Sequence, residues 1–271
     1  MQQSTPRVAL VTGASSGIGR ATAQQLAGAG YRVFGTSRRP ALHVAGSIEL
    51  LALDVTSDAS VEALVADVMR RAGRIDLLVN NAGFGVAPAG AEESSLAQAQ
   101  AIFDTNFFGI VRMTRAVAPH MRLQGSGHII NIGSVLGFLP MPYMALYSAS
   151  KHAVAGYSEA LDHELRTLGV RVSVVEPAYI NTAFDANLLP PDAPLPAYRA
   201  ICARVEARVK QVLVDADGPE VVAAIVLKAA AARQPRLHYM PGLARRMQLL
   251  RRFAPASMLD AGVRKDLRLE G

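Results

Sequence analysis

The stretch ALVTGASSGIGRA, residues 9–21, leads from a short apolar segment through a glycine-rich turn into an alanine-rich segment. Its glycines Gly13, Gly17 and Gly19 form a G-x-x-x-G-x-G pattern. Glycine permits tight backbone turns and lets a pyrophosphate come close to the main chain, and the first N–H groups of a following helix attract that anion. The stretch therefore predicts a strand, a phosphate-binding turn whose two serines add hydroxyl donors, and a helix.

The same turn allows two other interpretations. It could be a tight β–α turn that binds no ligand. Its GASSG segment, residues 13–17, also matches the G-x-S-x-G nucleophile elbow of α/β-hydrolases, with Ser15 as the nucleophile. That elbow normally follows several strands, whereas this segment follows the first one predicted, and the sequence holds no HGGG-type oxyanion segment. A serine hydrolase is therefore the alternative to a dinucleotide-binding protein.

Short apolar segments rich in β-branched residues alternate with helical patterns along the chain. Uniformly apolar strands are typical of a parallel sheet covered on both faces. We expect an α/β protein with a Rossmann-type, doubly wound parallel sheet of about seven strands and helices on both faces. The predicted strands are residues 8–11, 32–36, 48–53, 77–79, 128–132, 170–175 and a seventh near 237–240, and the predicted helices are residues 17–29, 60–72, 96–122 and 147–168.

The length of 271 residues suits a single catalytic domain, residues 1–271, better than two small ones. The strand pattern lapses over residues 182–217, where LLPPDAPLP precedes a predicted helix, residues 198–214. An insertion after the carboxyl end of a strand is the usual place for a substrate lid, which we expect here. The link between the second and third strands, residues 37–47, is too short for a helix with its loops and predicts an abbreviated crossover.

The composition excludes several classes of protein. Hydrophobic residues make up 51% of the chain, which indicates a sizeable core and not a disordered protein. The single cysteine, Cys202, excludes an internal disulfide and a cysteine-based zinc site, and we predict no metal site. No apolar run approaches the ~18–20 residues that a membrane span needs, and the first strand begins close to the N-terminus, so we expect a cytoplasmic protein without a signal peptide.

The formal net charge of +6 is concentrated near the C-terminus. Nine Lys or Arg and three Asp or Glu follow residue 232, so the preceding part of the chain is neutral and no nucleic-acid partner is expected. The basic extension, residues 241–271, contains LARRMQLLRRFAP, residues 243–255, which predicts a basic amphipathic helix. We expect this helix to close the substrate cleft or to form a subunit contact, and peripheral contact with a membrane is the alternative.

The second predicted strand ends in GTSRRP, residues 35–40. A site for NAD usually carries Asp or Glu near this point, where it binds the ribose 2′-hydroxyl. Here Ser37, Arg38 and Arg39 stand instead, and a guanidinium can bind the 2′-phosphate of NADP. The sequence therefore predicts a preference for NADP(H) over NAD(H), with Arg38 as the main contact. The alternative is that both arginines are solvated loop residues.

The sequence YSASK, residues 147–151, places Tyr147 and Lys151 one turn apart on a predicted helix. A tyrosine titrates near ~10, and a nearby ammonium lowers that pKa and makes the phenol a usable general acid or base. Lys151 is the only lysine before residue 210, although the chain carries 28 Lys and Arg. Ser134 ends the fifth predicted strand, at the sheet edge where catalytic groups gather, and its hydroxyl could hold a substrate carbonyl oxygen.

Six elements occur together in one order: TGASSGIG (12–19), DV (54–55), NNAG (80–83), Asn106, Ser134 and YSASK (147–151). As a set they make residues 7–185 resemble the short-chain dehydrogenase/reductase family, in its shorter, single-domain branch. The resemblance implies four catalytic residues, which are Asn106, Ser134, Tyr147 and Lys151. Tyr147 would be the acid/base, Lys151 would lower its pKa and bind the nicotinamide ribose, and Asn106 would hold a water that relays protons.

The resemblance also implies the contacts with the cofactor. Asp54 and Val55 would contact the adenine, Asn80 the adenosine ribose, and Ile180 the nicotinamide amide. The alternative for Asn80, as for Asn106, is a structural role. The full set of implied cofactor contacts is Gly13, Ser15, Ser16, Gly17, Ile18, Gly19, Arg38, Asp54, Val55, Asn80, Ala82, Tyr147, Lys151, Pro177, Ile180 and Thr182.

One position departs from the family's pattern. Members usually read Pro-Gly after the sixth strand, whereas this chain reads Pro177-Ala178. If the backbone there required a positive φ, alanine would be strained.

Two segments that follow strands, residues 137–144 and 184–191, are apolar and are expected to line the substrate space. They favour a hydrophobic ketone or alcohol as the substrate. We therefore expect an NADP(H)-dependent oxidoreductase, with a non-catalytic, cofactor-sensing module on the same fold as the further alternative. The resemblance implies a homodimer or homotetramer that pairs through the two long helices.

Overall fold

A computed structural model describes residues 6–39, 48–186 and 188–269 of the chain. The described strands form one parallel sheet of seven strands, in the order β3-β2-β1-β4-β5-β6-β7. The predicted doubly wound, Rossmann-type sheet is thereby confirmed. The strands are β1 Val8–Val11, β2 Arg32–Ser37, β3 Ile48–Ala52, β4 Leu77–Asn80, β5 Gly127–Ile132, β6 Val170–Val175 and β7 His238–Tyr239.

Helices cover both faces of the sheet. In chain order they are α1 Gly17–Gly28, α2 Asp58–Ala72, α3 Leu96–Phe103, α4 Gly109–Gln124, α5 Ala145–Arg166, α6 Ala183–Ala186, α7 Arg199–Val214, α8 Pro219–Ala231, α9 Leu243–Phe253 and α10 Ala256–Asp266. Their ends follow ordinary capping chemistry. The Ser57 side chain accepts the backbone N–H of Ser60 at the start of α2, and Gly73 ends that helix with a φ of 72°.

The side chains of β1 alternate between two separate cores. Val8 and Leu10 belong to the core on the side of α2, α4 and α5. Ala9 and Val11 belong to the core on the side of α1 and α8. Because successive strand residues point to opposite faces, a strand that is apolar throughout needs cover on both faces, and the two cores provide it.

The predicted helix 96–122 is interrupted. A π-helical turn, Asp104–Phe108, joins α3 to α4 and is centred on the buried residue Asn106. The Asn106 side chain accepts the backbone N–H of Phe84 at 3.0 Å and donates to the Phe84 carbonyl at 2.8 Å. Such single π turns are common at functional sites. The helical periodicity of the sequence gives no sign of this one, because the fold and not the local pattern sets it.

The helix α8 was not predicted from the sequence. Its residues PEVVAAIVLKAAA are almost all apolar, so periodicity cannot distinguish it from a buried strand. It packs against the sheet beside α1, and Val222, Val226 and Ala229 join the core there. The predicted abbreviated crossover lies largely within residues 40–47, outside the described residues.

The basic extension folds as α9 and α10. Across residues 6–39, 48–186 and 188–269, every helix is too short or too polar to span a bilayer.

Candidate active site

A cavity of about 1310 Å³ opens at the carboxyl edge of the sheet. It lies where the strand order reverses between β1 and β4, the usual ligand position in a doubly wound fold. Its walls come from the glycine-rich turn, from the ends of β2, β4 and β5, from the start of α5, from residues 177–184, and from α7, α9 and α10.

The conformation of the glycine-rich turn is determined by its glycines and by hydrogen bonds to the residues that follow β4. Gly13 has a φ of 66°, in the left-handed region that favours glycine. The Thr12 hydroxyl accepts the backbone N–H groups of Asn81 and Ala82 at 2.9 and 3.0 Å. A Cβ atom on Gly19 would lie 2.2 Å from the Gly13 carbonyl oxygen, so only glycine fits there. The start of α1 can therefore approach an anion in the cavity closely, as a pyrophosphate site requires.

Most of the predicted cofactor residues line this one cavity. They are Gly13, Ser15, Ser16, Gly17, Ile18, Arg38, Asp54, Val55, Ala82, Tyr147, Lys151, Pro177, Ile180 and Thr182. Gly19 is absent from the lining and acts through the close approach of α1 to the turn.

Asn80 is not among the residues that line the cavity, and its expected contact with the adenosine ribose stays a prediction. It is buried and donates to the Asn131 side chain at 2.9 Å, and Asn131 donates to the Ser158 hydroxyl at 2.8 Å. It thus links β4, β5 and α5. Its neighbour Asn81 lines the cavity instead and donates to the Thr12 and Gly13 carbonyls. Both asparagines are in the NNAG motif, and the register of β4 decides which of them faces the ligand.

The end of β2 presents one arginine to the cavity. Arg38 is exposed and lines it, whereas Arg39 is exposed but does not. Opposite Arg38, the Asp54 carboxylate accepts hydrogen bonds from the backbone and hydroxyl of Thr56 at 2.9 and 2.7 Å. These bonds are the main reason why the pKa of Asp54 is lowered, and the charge of Arg38 adds to the effect. The carboxylate is thus held by Thr56, and no ion pair joins Arg38 to the residues that the structure describes, so its guanidinium can bind an anion.

Ser134, Tyr147 and Lys151 lie together on the wall of the cavity. The Lys151 ammonium lies 5.6 Å from the centroid of the Tyr147 ring and donates to the Ile132 carbonyl at 2.9 Å. The Ser134 hydroxyl accepts the backbone N–H of Leu136 at 3.1 Å, and this bond fixes the oxygen in place while leaving its proton to donate elsewhere. A hydroxyl donor, a phenol and a buried cation can together hold and protonate a carbonyl oxygen.

Burial lowers the pKa of Lys151 from its usual 10.5 to about 8. The side chain is only 7% exposed, and removing its charge from water is the cause of the shift. The ammonium is still mostly charged at neutral pH, but it costs the folded protein free energy. A shift of this size corresponds to about 3 kcal/mol, although the ammonium donates to the Ile132 carbonyl.

Lys151→Met is therefore expected to stabilise the protein without cofactor by about 3 kcal/mol at neutral pH, which would raise Tm by about 6 °C. The folded pKa is below the unfolded pKa, so between pH 8 and 10.5 the folded wild type releases its proton first. Wild-type stability thus rises across this window, and the advantage of Lys151→Met should shrink to nothing at its upper end. Thermal unfolding of both proteins over this pH range measures the difference. An equal or lower Tm for the variant at neutral pH would contradict the burial cost.

The Asn106 side chain does not line the cavity, but it is hydrogen-bonded to residues next to the site. Besides its two bonds to Phe84, it donates to the Ser150 hydroxyl at 3.3 Å. Ser150 in turn donates to the Tyr147 carbonyl at 2.8 Å. Asn106 therefore fixes the first turn of α5, on which Tyr147 lies. Its role in holding a relay water stays a prediction.

The backbone torsion angles test two interpretations of the sequence: strain at Ala178 and a hydrolase elbow at Ser15. In the described part of the chain, the non-glycine residues with a positive φ are Tyr143 and Arg268. Ala178 is not among them, so alanine causes no strain in place of the family's glycine. Ser15 is not among them either, whereas the serine of a hydrolase elbow sits on a strained turn. The geometry of the turn thus argues against the serine hydrolase.

The predicted lid is anchored over residues 188–198. Leu189 pairs with Val86 in a parallel bridge. The backbone N–H of Leu195 donates at 2.7 Å to the carboxylate of Glu93, which is buried. This part of the segment is therefore fixed to the wall of the cavity and is not a free loop. Residues 185–187 of the predicted substrate segment have side chains outside the described part of the chain.

The basic extension closes the far end of the cavity. Met247 of α9, Val263 of α10 and Leu267, which follows α10, line it together with apolar side chains of the substrate segments and α7. The Arg251 guanidinium donates to the Phe138 carbonyl at 3.3 Å and thereby ties α9 to the loop that follows Ser134. The charged side chains of Glu206, Lys210 and Asp266 line the cavity beside these apolar residues.

Comparison with known proteins places these features in a family context. Residues 7–192 match the family described as short chain dehydrogenase. Over 182 residues the chain is 44% identical to a 3-ketodihydrosphingosine reductase of Bacteroides thetaiotaomicron, and this alignment covers 67% of each protein. Over 198 residues it is 40% identical to retinol dehydrogenase 8 of Homo sapiens, and this alignment covers 68% of the chain and 62% of that protein.

Solved structures of similar proteins contain either dinucleotide. A metagenomic short-chain oxidoreductase in complex with NADP is 29% identical, with a TM-score of 0.70 and coverage of 88% of this chain and 100% of that one. A short chain dehydrogenase/reductase from Burkholderia phymatum in complex with NAD is 28% identical, with a TM-score of 0.76 and coverage of 99% and 96%. The choice between the two cofactors therefore has to be argued from this chain's own residues.

Proposed function

The chain belongs to the short chain dehydrogenase family of oxidoreductases, and on this premise we propose that it is an NADP(H)-dependent enzyme that interconverts a hydrophobic ketone and its secondary alcohol. One observation carries the proposal. The phosphate-binding turn, the Arg38 guanidinium and the group of Ser134, Tyr147 and Lys151 all line one cavity. The bound cofactor would supply or accept the hydride at C4 of its nicotinamide.

Three side chains of the protein would handle the substrate oxygen. Ser134 donates a hydrogen bond to it and holds the carbonyl in position, since the Ser134 oxygen is itself fixed by Leu136. Tyr147 gives its phenolic proton to that oxygen during reduction and takes it back during oxidation. The Lys151 ammonium, 5.6 Å from the centroid of the Tyr147 ring, favours the negative charge that develops on the phenol oxygen as its proton leaves.

The far end of the cavity supports a hydrophobic substrate. Its apolar side chains include Leu139, Leu188, Leu213 and Met247, and such a lining favours apolar ligands over sugars or charged acids. The names of two relatives, 3-ketodihydrosphingosine reductase and retinol dehydrogenase 8, both refer to compounds with long hydrocarbon parts. NADPH oxidation with a panel of hydrophobic ketones, and with sugar and keto-acid controls, tests this. Turnover of the polar controls alone would contradict the proposed substrate class.

The preference for NADP(H) is proposed to depend on Arg38. Arg38→Ser should raise KM for NADPH by about tenfold to a hundredfold, because a charge-assisted pair with the 2′-phosphate is lost, and it should leave KM for NADH nearly unchanged. Arg39→Ser is the matched control, since Arg39 is exposed but lies off the cavity wall. Steady-state kinetics with both cofactors measures the effect. Equal KM changes for NADPH and NADH in Arg38→Ser would show that Arg38 does not bind the 2′-phosphate.

A further inference from the structure

The helix α9 has two chemically different faces. Ala244, Met247 and Arg251 follow one another at i, i+3 and i+7, so they share one face. This face is fixed to the protein, because Ala244 is fully buried, Met247 lines the cavity and Arg251 bonds to the Phe138 carbonyl. The helix is thus a packed part of the domain, and its orientation is defined.

The opposite face of α9 exposes large apolar side chains. Leu249 and Phe253 lie four residues apart on this face with Leu250 beside them, and the three are 50%, 74% and 53% exposed in that order. Together with the exposed Arg245, Arg246 and Arg252 they define what we call the basic apolar face. Exposed apolar patches with a polar rim commonly mark interaction surfaces.

The charges of this face are all of one sign and are not neutralised by the rest of the protein. The sequence of α9, LARRMQLLRRF, contains no acidic residue. No ion pair joins Arg245, Arg246 or Arg252 to the residues that the structure describes. A second copy of the chain placed on this face would bring two sets of guanidiniums together without a carboxylate on either helix, which is unfavourable. An anionic partner with an apolar layer beneath its charges is complementary to the basic apolar face.

We propose that the basic apolar face docks the protein on an anionic phospholipid surface. Leucine and phenylalanine side chains enter the boundary between headgroups and acyl chains, and arginines at the edge of the same face meet the lipid phosphates. Because Met247 on the same helix lines the cavity, docking brings the far end of the cavity close to the lipid. Only this last consequence rests on the proposed function, since lipid binding itself needs no catalysis.

Co-sedimentation of the full chain with vesicles tests the apolar part of the face. The wild type should sediment with vesicles that contain phosphatidylserine and much less with pure phosphatidylcholine. Leu249→Ser/Phe253→Ser should lower the fraction of the protein that sediments with the phosphatidylserine vesicles by about tenfold or more. The matched control is Leu96→Ser/Leu123→Ser, whose leucines are 74% and 80% exposed on other helices, and it should bind like the wild type.

A second pair of variants tests the charges. Arg246→Gln/Arg252→Gln should reduce binding to phosphatidylserine vesicles by about tenfold or more, and raised salt should reduce wild-type binding. Arg20→Gln/Arg122→Gln removes two exposed arginines elsewhere and should bind normally. Failure of the wild type to sediment, or equal binding by the α9 variants and their controls, would overturn the proposal. So would a change of oligomeric state in gel filtration of the α9 variants, because the face would then be a subunit contact. Thermal unfolding of each variant, measured in parallel, reports folding without any cofactor and keeps this outcome separate from the proposed enzyme activity.

Discussion

Tyr147→Phe is expected to bind NADPH with nearly normal affinity and to lose at least about a thousandfold in kcat. The substitution removes a single hydroxyl and keeps the ring, whose centroid lies 5.7 Å from that of Phe184. The shape of the cavity and the position of Lys151 should therefore be preserved. What is lost is the proton donor for the substrate oxygen, and no water held by a less acidic group can replace it at the same rate.

Fluorescence titration with NADPH and single-turnover reduction of a ketone separate binding from chemistry in this variant. Tyr179→Phe is the matched control, because Tyr179 is a second tyrosine on the wall of the same cavity. We expect it to retain nearly normal turnover. If Tyr179→Phe were the inactive variant and Tyr147→Phe the active one, the assignment of the acid/base would be reversed.

Lys151→Arg is expected to lose at least about a hundredfold in kcat/KM although it keeps the positive charge. Lys151 is 7% exposed and its ammonium already donates to the Ile132 carbonyl at 2.9 Å. A planar guanidinium presents its donors in a fixed fork and not around a compact ammonium, and it holds its protons too tightly to take part in a proton relay. The buried position therefore needs a compact ammonium whose pKa, about 8, lies near the working pH.

Lys210→Arg provides the comparison for this substitution. Lys210 also lines the cavity, but its side chain is largely exposed and pairs with Glu206 at 2.6 Å. An arginine can replace a lysine in such an open ion pair, so this variant should keep nearly normal kcat/KM. Near-wild-type turnover of Lys151→Arg would mean that position 151 needs only a charge, and that the relay role is wrong.

The strands and the cavity could be predicted from the sequence because short apolar segments rich in β-branched residues recur between helical patterns. Uniformly apolar segments placed β1 to β7 to within about two residues, and the carboxyl ends of parallel strands must meet at one sheet edge. Motif spacing then brought Gly13, Ser134, Tyr147 and Lys151 to this edge, and the structure places all four on one cavity wall.

Other features depend on tertiary contacts that the local pattern does not encode. The NNAG motif holds two adjacent asparagines, and only the register of β4 shows that Asn81 faces the cavity while Asn80 pairs with Asn131. The π-helical turn at Asn106 depends on bonds to Phe84, a residue 22 positions away. The sequence predicted that α9 is amphipathic, but only the structure shows which of its faces packs against the domain and which is exposed.

The most direct test of the enzyme assignment is transfer of deuterium from NADPH labelled at C4 to a hydrophobic ketone. With deuterium at both C4 positions, we expect the wild type to place one label on the carbinol carbon of the alcohol, and Tyr147→Phe to form at most about a thousandth as much labelled product while binding NADPH normally. Unlabelled product, or labelled product formed at the wild-type rate by Tyr147→Phe, would contradict this assignment.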